Sequence, residues 1–85
     1  MNTDLAQRLR ERADGFQCAA DAEQIVMDGL LEFRQKFDEG DRSDFVMRRL
    51  RIRNDAKNNW INYSEQASDL REAADLLDQI WSPLA

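Results

Sequence analysis

The fold of this chain is decided by residues 37–45, which read FDEGDRSDF. Gly40 has no side chain, so it can adopt the left-handed backbone conformation that ends many helices. Asp41 and Ser43 follow it, and both residue types cap helix starts by accepting hydrogen bonds from free backbone N–H groups. The stretch therefore predicts that one helix ends near residue 40 and another begins a few residues later.

Apolar residues on both sides of this turn repeat in steps of three and four, which is the spacing of one helix face. Each side is therefore expected to form one helix of roughly 35 residues. The predicted seam before the turn is Leu5, Leu9, Arg12, Phe16, Ala19, Glu23, Val26, Leu30, Phe33 and Phe37. The predicted seam after it is Phe45, Arg49, Ile52, Ala56, Trp60, Tyr63, Ala67, Leu70, Ala74, Leu77 and Trp81.

Folding the chain at Gly40 joins the two seams into an antiparallel helical hairpin of two long helices, an all-α fold. Phe16 is then expected opposite Ala67, and Leu30 opposite Ile52. Pairs of a large and a small side chain allow the facing layers to interdigitate. Residues 1–85 are expected to form a single helical domain.

Two other glycines and the width of the apolar stripe bear on this architecture. A break near Gly15 would give three helices and is the main alternative, whereas Gly29 is expected to stay within the first helix. Apolar residues beside the seam, such as Leu50 and Ile80, make the stripe wider than one helix can cover. We therefore expect the hairpin to form a homodimer, which would be a helical bundle.

Composition excludes several classes of site. The chain has no histidine and one cysteine, Cys18, so no internal disulfide is possible and no metal site or cofactor is expected. Without a histidine base or a glycine-rich phosphate loop, we expect no enzyme activity. No apolar run is long enough to span a bilayer, and the first residues do not form a signal peptide. The expected location is the cytoplasm, which for a protein of a mobile element would be that of its host.

Charge is distributed unevenly along the chain. The net charge is −5, from 12 basic and 17 acidic residues. Residues 41–57 carry 6 basic and 3 acidic groups, whereas residues 1–40 carry 5 and 9 and residues 58–85 carry 1 and 5. The pattern favours acidic ends that fold onto the basic middle, or onto the middle of another copy. The net charge disfavours binding to nucleic acids and anionic membranes.

The arginines of RRLRIRNDAKNNW, residues 48–60, have carboxylates at helical spacing or across the hairpin. This favours a structural role for them over contact with a partner protein or a phosphate. A nucleic-acid contact would require an arginine patch without compensating carboxylates. The expected pairs are Arg48 with Asp44, Arg51 with Asp55, and Arg53 and Arg49 with Asp28 and Glu32.

Asparagines and aromatic residues follow the arginines. Asparagine is a poor residue for a helix interior, so the cluster predicts either a hydrated or buried polar layer or a recognition surface. Trp, Tyr and Arg are common at the centres of binding interfaces. The residues predicted to bind a partner or ligand are Arg48, Arg51, Arg53, Asn58, Asn59, Trp60 and Asn62.

Two segments, LAQRLRERAD (residues 5–14) and LREAADLLDQI (residues 70–80), resemble small acidic helical accessory proteins of bacteriophages and mobile elements. The resemblance implies a protein that binds and blocks a host macromolecule, such as a nuclease or a defence complex. The expected function is therefore a non-catalytic protein-binding module, plausibly a phage-type inhibitor of a host complex. One alternative is an oligomeric sponge for a small anionic, nucleotide-like ligand. Another is a nucleic-acid-binding protein that uses residues 43–57.

Overall fold

A computed structural model describes residues 2–81, with side chains from residue 4 to residue 80. Helix α1 spans Asn2–Gly29, α2 spans Leu31–Asp38 and α3 spans Asp44–Trp81. The described part contains no strand. Helices α1 and α2 pack along α3 and form a hairpin 62 Å long and 16 by 13 Å across. None of these three helices has the length and apolar character needed to cross a membrane. The all-α hairpin is thus confirmed, and dimerisation remains a prediction.

The turn is built as the sequence predicts. Gly40 adopts a φ of +101°, which a residue with a side chain rarely tolerates. Its N–H donates to the Phe37 carbonyl at 3.0 Å, and the Asp41 N–H donates to the Lys36 carbonyl at 2.9 Å. This pair of bonds is a Schellman motif, which satisfies carbonyl groups that the end of α2 would leave free.

Ser43 starts α3. Its hydroxyl accepts a hydrogen bond from the Val46 N–H at 3.3 Å, which caps the first turn of the helix. The Ser43 N–H in turn donates to the Asp41 carboxylate at 2.9 Å. Hydrogen bonds from the backbone and then the hydroxyl of Ser43 lower the pKa of Asp41 below its ordinary value of 3.8. The charged form of Asp41 is therefore part of the turn.

Alanines form the contact line between α1 and α3. Ala6, Ala13 and Ala20, spaced by seven residues, are fully buried in α1, and Ala67 and Ala74 are fully buried in α3. A methyl side chain lets two helices approach closely, so larger residues are excluded from this line. Close packing of small residues, with larger side chains beside them, therefore joins the long helices.

The cross-helix contacts fix the register of the hairpin. The rings of Phe16 and Tyr63 stack with their centroids 6.2 Å apart, and Arg71 reaches Asp14 at 3.2 Å. Phe16 also lines a groove with Gln66 and Leu70, on either side of Ala67, in agreement with the predicted register. Continued along both helices, this register predicts a larger side chain level with each buried alanine, in the pairs Ala6 with Leu77, Leu9 with Ala74, Ala13 with Leu70, and Ala20 with Tyr63.

The predicted seam of α1 is wrong at alternate positions, where the buried residue is the next one along the chain. The sequence predicts Leu5 and Val26 inside, but they are 46% and 39% exposed. The predicted residues Leu5, Arg12, Ala19 and Val26 give way to Ala6, Ala13, Ala20 and Met27. At the first two of these positions the close approach of the helices favours alanine over the larger Leu5 and Arg12, whereas at the other two the buried residue is not smaller and only the face of the helix differs.

In α3 the same correction applies near the turn. Phe45 and Ile52 are predicted inside but are about half exposed, at 52% and 53%. Val46 and Leu50 are buried instead and form a cluster with Phe33, against which Leu30 packs. Leu30 therefore meets this cluster rather than Ile52. The side chain of Trp81, the last predicted seam residue, lies outside the described side chains.

The first helix breaks at Leu30 and not at Gly15. Leu30 has φ −108° and ψ 7°. Its backbone forms two hydrogen bonds between residues three apart: the Leu30 N–H donates to the Met27 carbonyl, and the Phe33 N–H donates to the Leu30 carbonyl. The buried residues Met27 and Phe33 and the half-buried Leu30 between them follow each other in two steps of three, which requires local overwinding. Gly29, which weakens a helix, is the last residue of α1, so it stays in the first helix as predicted. The prediction of one continuous helix from there to the turn is wrong.

Candidate functional site

The predicted binding residues do not converge on one point. Arg48, Arg51, Asn58 and Asn62 are exposed and share, by helical spacing, the outer face of α3. Trp60 and Arg53 are half-buried on the side of α3 that faces α1, and Asn59 is exposed between these two sides. The structure therefore divides the set between an outer face and the interhelical side, and their role in binding stays a prediction.

Among the described residues, the ion pairs expected for the arginines at positions 48, 49, 51 and 53 do not form. The ion pairs that do form join other side chains. Arg49 instead stacks on Phe45, with its guanidinium carbon 3.5 Å from the ring centroid. The Nε atom of Arg53 is buried without a hydrogen-bond partner in this part of the chain. A Cβ added to Gly29 would meet open space, so Gly29 does not make room for Arg53 as predicted. Aromatic rings compete for the guanidinium groups that spacing assigns to carboxylates.

One side of the hairpin is closed by polar contacts, and we call it the polar flank. Arg10 bonds Asp75 at 3.0 Å and also bonds Asp78. Arg71 bonds Asp14 and, at 3.2 Å, the side-chain oxygen of Gln17. The hydrogen bonds that Arg10 donates to Asp78 and then to Asp75 raise the pKa of Arg10 above its ordinary value. These exposed pairs fix orientation more than they add stability.

A shallow groove of about 240 Å³ lies between α2 and α3 beside the turn. It contains one predicted ligand residue, Arg51, close to Arg34, which pairs with Asp38 at 3.3 Å. Trp60 and Arg53, the other residues expected to hold an anionic ligand, do not line it. The residues lining the groove are Arg34, Phe37, Met47, Leu50, Arg51 and Asn54.

The opposite side of the hairpin carries a row of exposed large apolar residues, which we call the apolar flank. Its large exposed members are 39–61% exposed. Two contacts show which positions of α1 and α3 lie on this side: the Phe33 and Phe45 ring centroids are 5.5 Å apart, and Arg12 and Gln66 line one groove. Residues seven apart lie on the same side of a helix, and every member is a multiple of seven residues from one of these positions. The members are Leu5, Val26, Phe45, Ile52 and Ile80.

The sequence indicates an apolar stripe too wide for one helix and includes Ile80 in it, but it does not separate the apolar flank from the seam. Phe45 and Ile52 begin a series spaced by seven that continues to Ile80, and the prediction assigns the first two to the seam. The seam and the flank lie next to each other on a helix, so both satisfy the same periodicity. Only the burial of Val46 and Leu50 separates the two.

Comparison with known proteins identifies no relative. No protein-family model matches the chain, and neither a curated protein nor a solved structure matches it. Among the described residues, no group of three or more cysteine or acidic side chains is arranged to hold a metal ion. The surfaces of the chain itself are therefore the evidence about its function.

Proposed function

We propose that this chain is a non-catalytic module that acts by associating with other protein surfaces. The observation that carries the proposal is the apolar flank, a row of large apolar residues along a hairpin that has no second layer to cover them. Polar residues interrupt the row at Arg12, Asn59 and Gln66, so its large apolar residues form a cluster at each end. Clusters of exposed apolar residues are typical of interaction sites. An unpartnered flank of this kind favours association over a free-standing chain.

The energy available from covering the flank is appropriate for a stable complex. Full burial of a large apolar side chain contributes about 1.5–3 kcal/mol. The five flank residues are roughly half exposed, so covering them contributes on the order of 1 kcal/mol each, or about 5 kcal/mol together. That gain offsets much of the entropic cost of association, and polar contacts around the row would add to it.

The outer surface indicates what class of host partner the module suits. Glu65 and Glu72 lie exposed on the outer side of α3, and the exposed Asp69 lies at the edge of the groove that it lines with Phe16. None of these three carboxylates forms an ion pair with a described residue. Carboxylates presented along a rigid helix complement a basic surface, such as the one with which a protein handles nucleic acid. We propose that the module covers such a surface and excludes its substrate, as in a phage-type inhibitor of a host complex.

Affinity capture with matched variants tests this function. Ile52 lies on the apolar flank, and Ile25, 72% exposed, lies roughly 100° around α1 from the flank residue Val26. We expect wild type and Ile25→Asp to capture the same bacterial nucleic-acid-handling protein, and Ile52→Asp to lose it while circular dichroism shows unchanged helicity. Capture equal for all three variants would contradict a role of the flank.

The role of the outer carboxylates is tested by the salt dependence of binding. Complexes that depend on the outer carboxylates should weaken as salt is raised from about 50 to 500 mM, since exposed charge pairs are screened over a few ångströms at high salt. Replacing Glu65 and Glu72 with Gln should reduce that salt dependence. A captured partner whose affinity is the same at both salt concentrations would refute the acidic surface as its binding site.

A further inference from the structure

The apolar flank has a distinct order along its length. Leu5 and Ile80 are at the open end of the hairpin, and Phe45 and Ile52 are near the turn. The middle of the same side holds smaller or polar residues: steps of seven lead to Ala19 on α1 and to Asn59 on α3.

 Ala19 and Asn59 therefore mark the middle of the flank, between two apolar ends.

We propose that a second copy of this chain covers the apolar flank, with the two hairpins antiparallel to each other in a four-helix bundle. The inference rests on the proposed function, because it names the first partner of the same surface. In this arrangement a twofold axis passes close to Ala19 and Asn59, and each copy presents the same residues to the other. The open end of one copy, with Leu5 and Ile80, then lies level with Phe45 of its partner.

Charge selects the antiparallel arrangement. The half of the hairpin next to the turn, residues 25–57, carries 8 basic and 7 acidic groups, a net charge of +1. The open half, residues 4–24 and 58–80, carries 4 basic and 10 acidic groups, a net charge of −6. A parallel dimer would place the two −6 halves side by side, whereas the antiparallel dimer places each −6 half against a +1 half. Like charges at an interface disfavour the wrong pairing.

The side of the hairpin that carries the flank is large enough for a stable dimer. This whole side, 62 Å long and at least 13 Å wide, offers about 800 Å² on each copy, or about 1,600 Å² in total, when the flank and the residues beside it are both covered. That is the usual size of a specific, stable interface between proteins. At its centre, Asn59 from each copy would lie near the axis, and a polar residue at such a position fixes register and partner number. In the dimer the outer carboxylates of α3 stay accessible, so a host partner would bind there, and the loss of capture expected for Ile52→Asp would follow from loss of the dimer.

The mass of the protein in solution tests this inference. Sedimentation or light scattering at about 1–100 µM should give twice the chain mass of 9.9 kDa for wild type and for Ile25→Asp. Ile52→Asp should shift the dimer dissociation constant by at least tenfold and give a single chain at the lower concentrations. A wild-type monomer throughout this range would overturn the inference, and so would a dimer that Ile52→Asp leaves unchanged.

Cross-linking tests the orientation. In a Cys18→Ser background, Leu5→Cys and Phe45→Cys chains are mixed and oxidised. Positions 5 and 45 lie near opposite ends of one hairpin, so a disulfide between them can form only between copies. A 5–45 disulfide is the expected product. A 5–5 or 45–45 disulfide, or no disulfide between copies, would overturn the antiparallel dimer.

The two proposals fail in different ways. A monomeric protein that still captures a host protein through Ile52 would remove the second copy and leave the proposed function standing. A dimer that captures no host protein at any salt concentration would leave the second copy and remove the inhibitor function. Measurements of mass and of capture on the same three proteins therefore separate them.

Discussion

Replacing Ala13 with leucine tests the alanine contact line directly. Ala13 is fully buried in α1, level with Leu70 of α3. Leucine adds three carbon atoms, which would contribute about 2 kcal/mol of stability if an apolar space were available, at about 0.8 kcal/mol per group. The close approach of the helices leaves no such space, so we expect overpacking to destabilise the protein by about 1–3 kcal/mol.

The assay compares this variant with Ala22→Leu, which makes the same change at an exposed position of α1. Thermal and urea unfolding are followed by far-UV circular dichroism at equal protein concentration. A loss of 2 kcal/mol should lower the Tm by roughly 8–16 °C in a chain of this size, whereas Ala22→Leu should stay within about 0.5 kcal/mol of wild type. Unfolding of Ala13→Leu at or above the temperature of Ala22→Leu would refute close packing at this line.

A compensating substitution makes the test specific. In Ala13→Leu combined with Leu70→Ala, the large and small side chains exchange helices and the total volume is kept. We expect the pair to recover at least half of the stability lost in Ala13→Leu, because residues in contact are not additive. Losses that simply add would show that the two side chains do not face each other.

Three further predictions concern the glycines and the turn. Gly15→Ala and Gly29→Ala should each raise the free energy of unfolding by about 0.5–1 kcal/mol in urea titrations, since an added Cβ meets open space at both sites. Gly40→Ala should instead lower it by about 1 kcal/mol, because φ is +101° there. The lowered pKa of Asp41 means that its contribution to stability is present above about pH 4 and is lost as the pH falls through the lower folded pKa. Asp41→Asn should therefore remove part of the acid sensitivity, and Ser43→Ala should reduce the same pH-dependent component in parallel titrations.

Local chemistry made the turn predictable. The conformation of Gly40 and the cap formed by Ser43 depend only on residues within a few positions of each other. The overall hairpin followed, because a chain with one strong turn signal and helical periodicity on both sides has few ways to cover its apolar faces. The fold class could therefore be predicted from the sequence.

The choice of seam could not be predicted from periodicity. Stepping through Leu5 and Leu9, or through Ala6 and Leu9, satisfies the same spacing of three and four. The distance between the helices decides which is buried, and that distance depends on every layer of the interface together. The break at Leu30 did have a signal, because apolar residues three apart on either side of it cannot all face α3 in a regular helix.

The candidate site was the least predictable part. Helical spacing gives the distance between backbone positions, so it assigns Arg49 to carboxylates and does not show that its guanidinium lies over the rings of Phe45 and Phe33. The apolar flank becomes visible only when the buried residues are known, because it consists of the large apolar residues that the interface leaves out. Its recognition depends on the three-dimensional structure.

The measurement that most directly tests the central claim is the accessibility of the apolar flank in the associated protein. In a Cys18→Ser background, Ile52→Cys and Ile25→Cys are labelled with a thiol reagent at about 100 µM protein. In an isolated chain, Ile52 is 53% exposed and Ile25 is 72% exposed, so the labelling rates of cysteines at the two positions should agree within about twofold. We predict labelling at position 52 at least fivefold slower than at position 25. Equal rates at the two positions would show that nothing covers the flank.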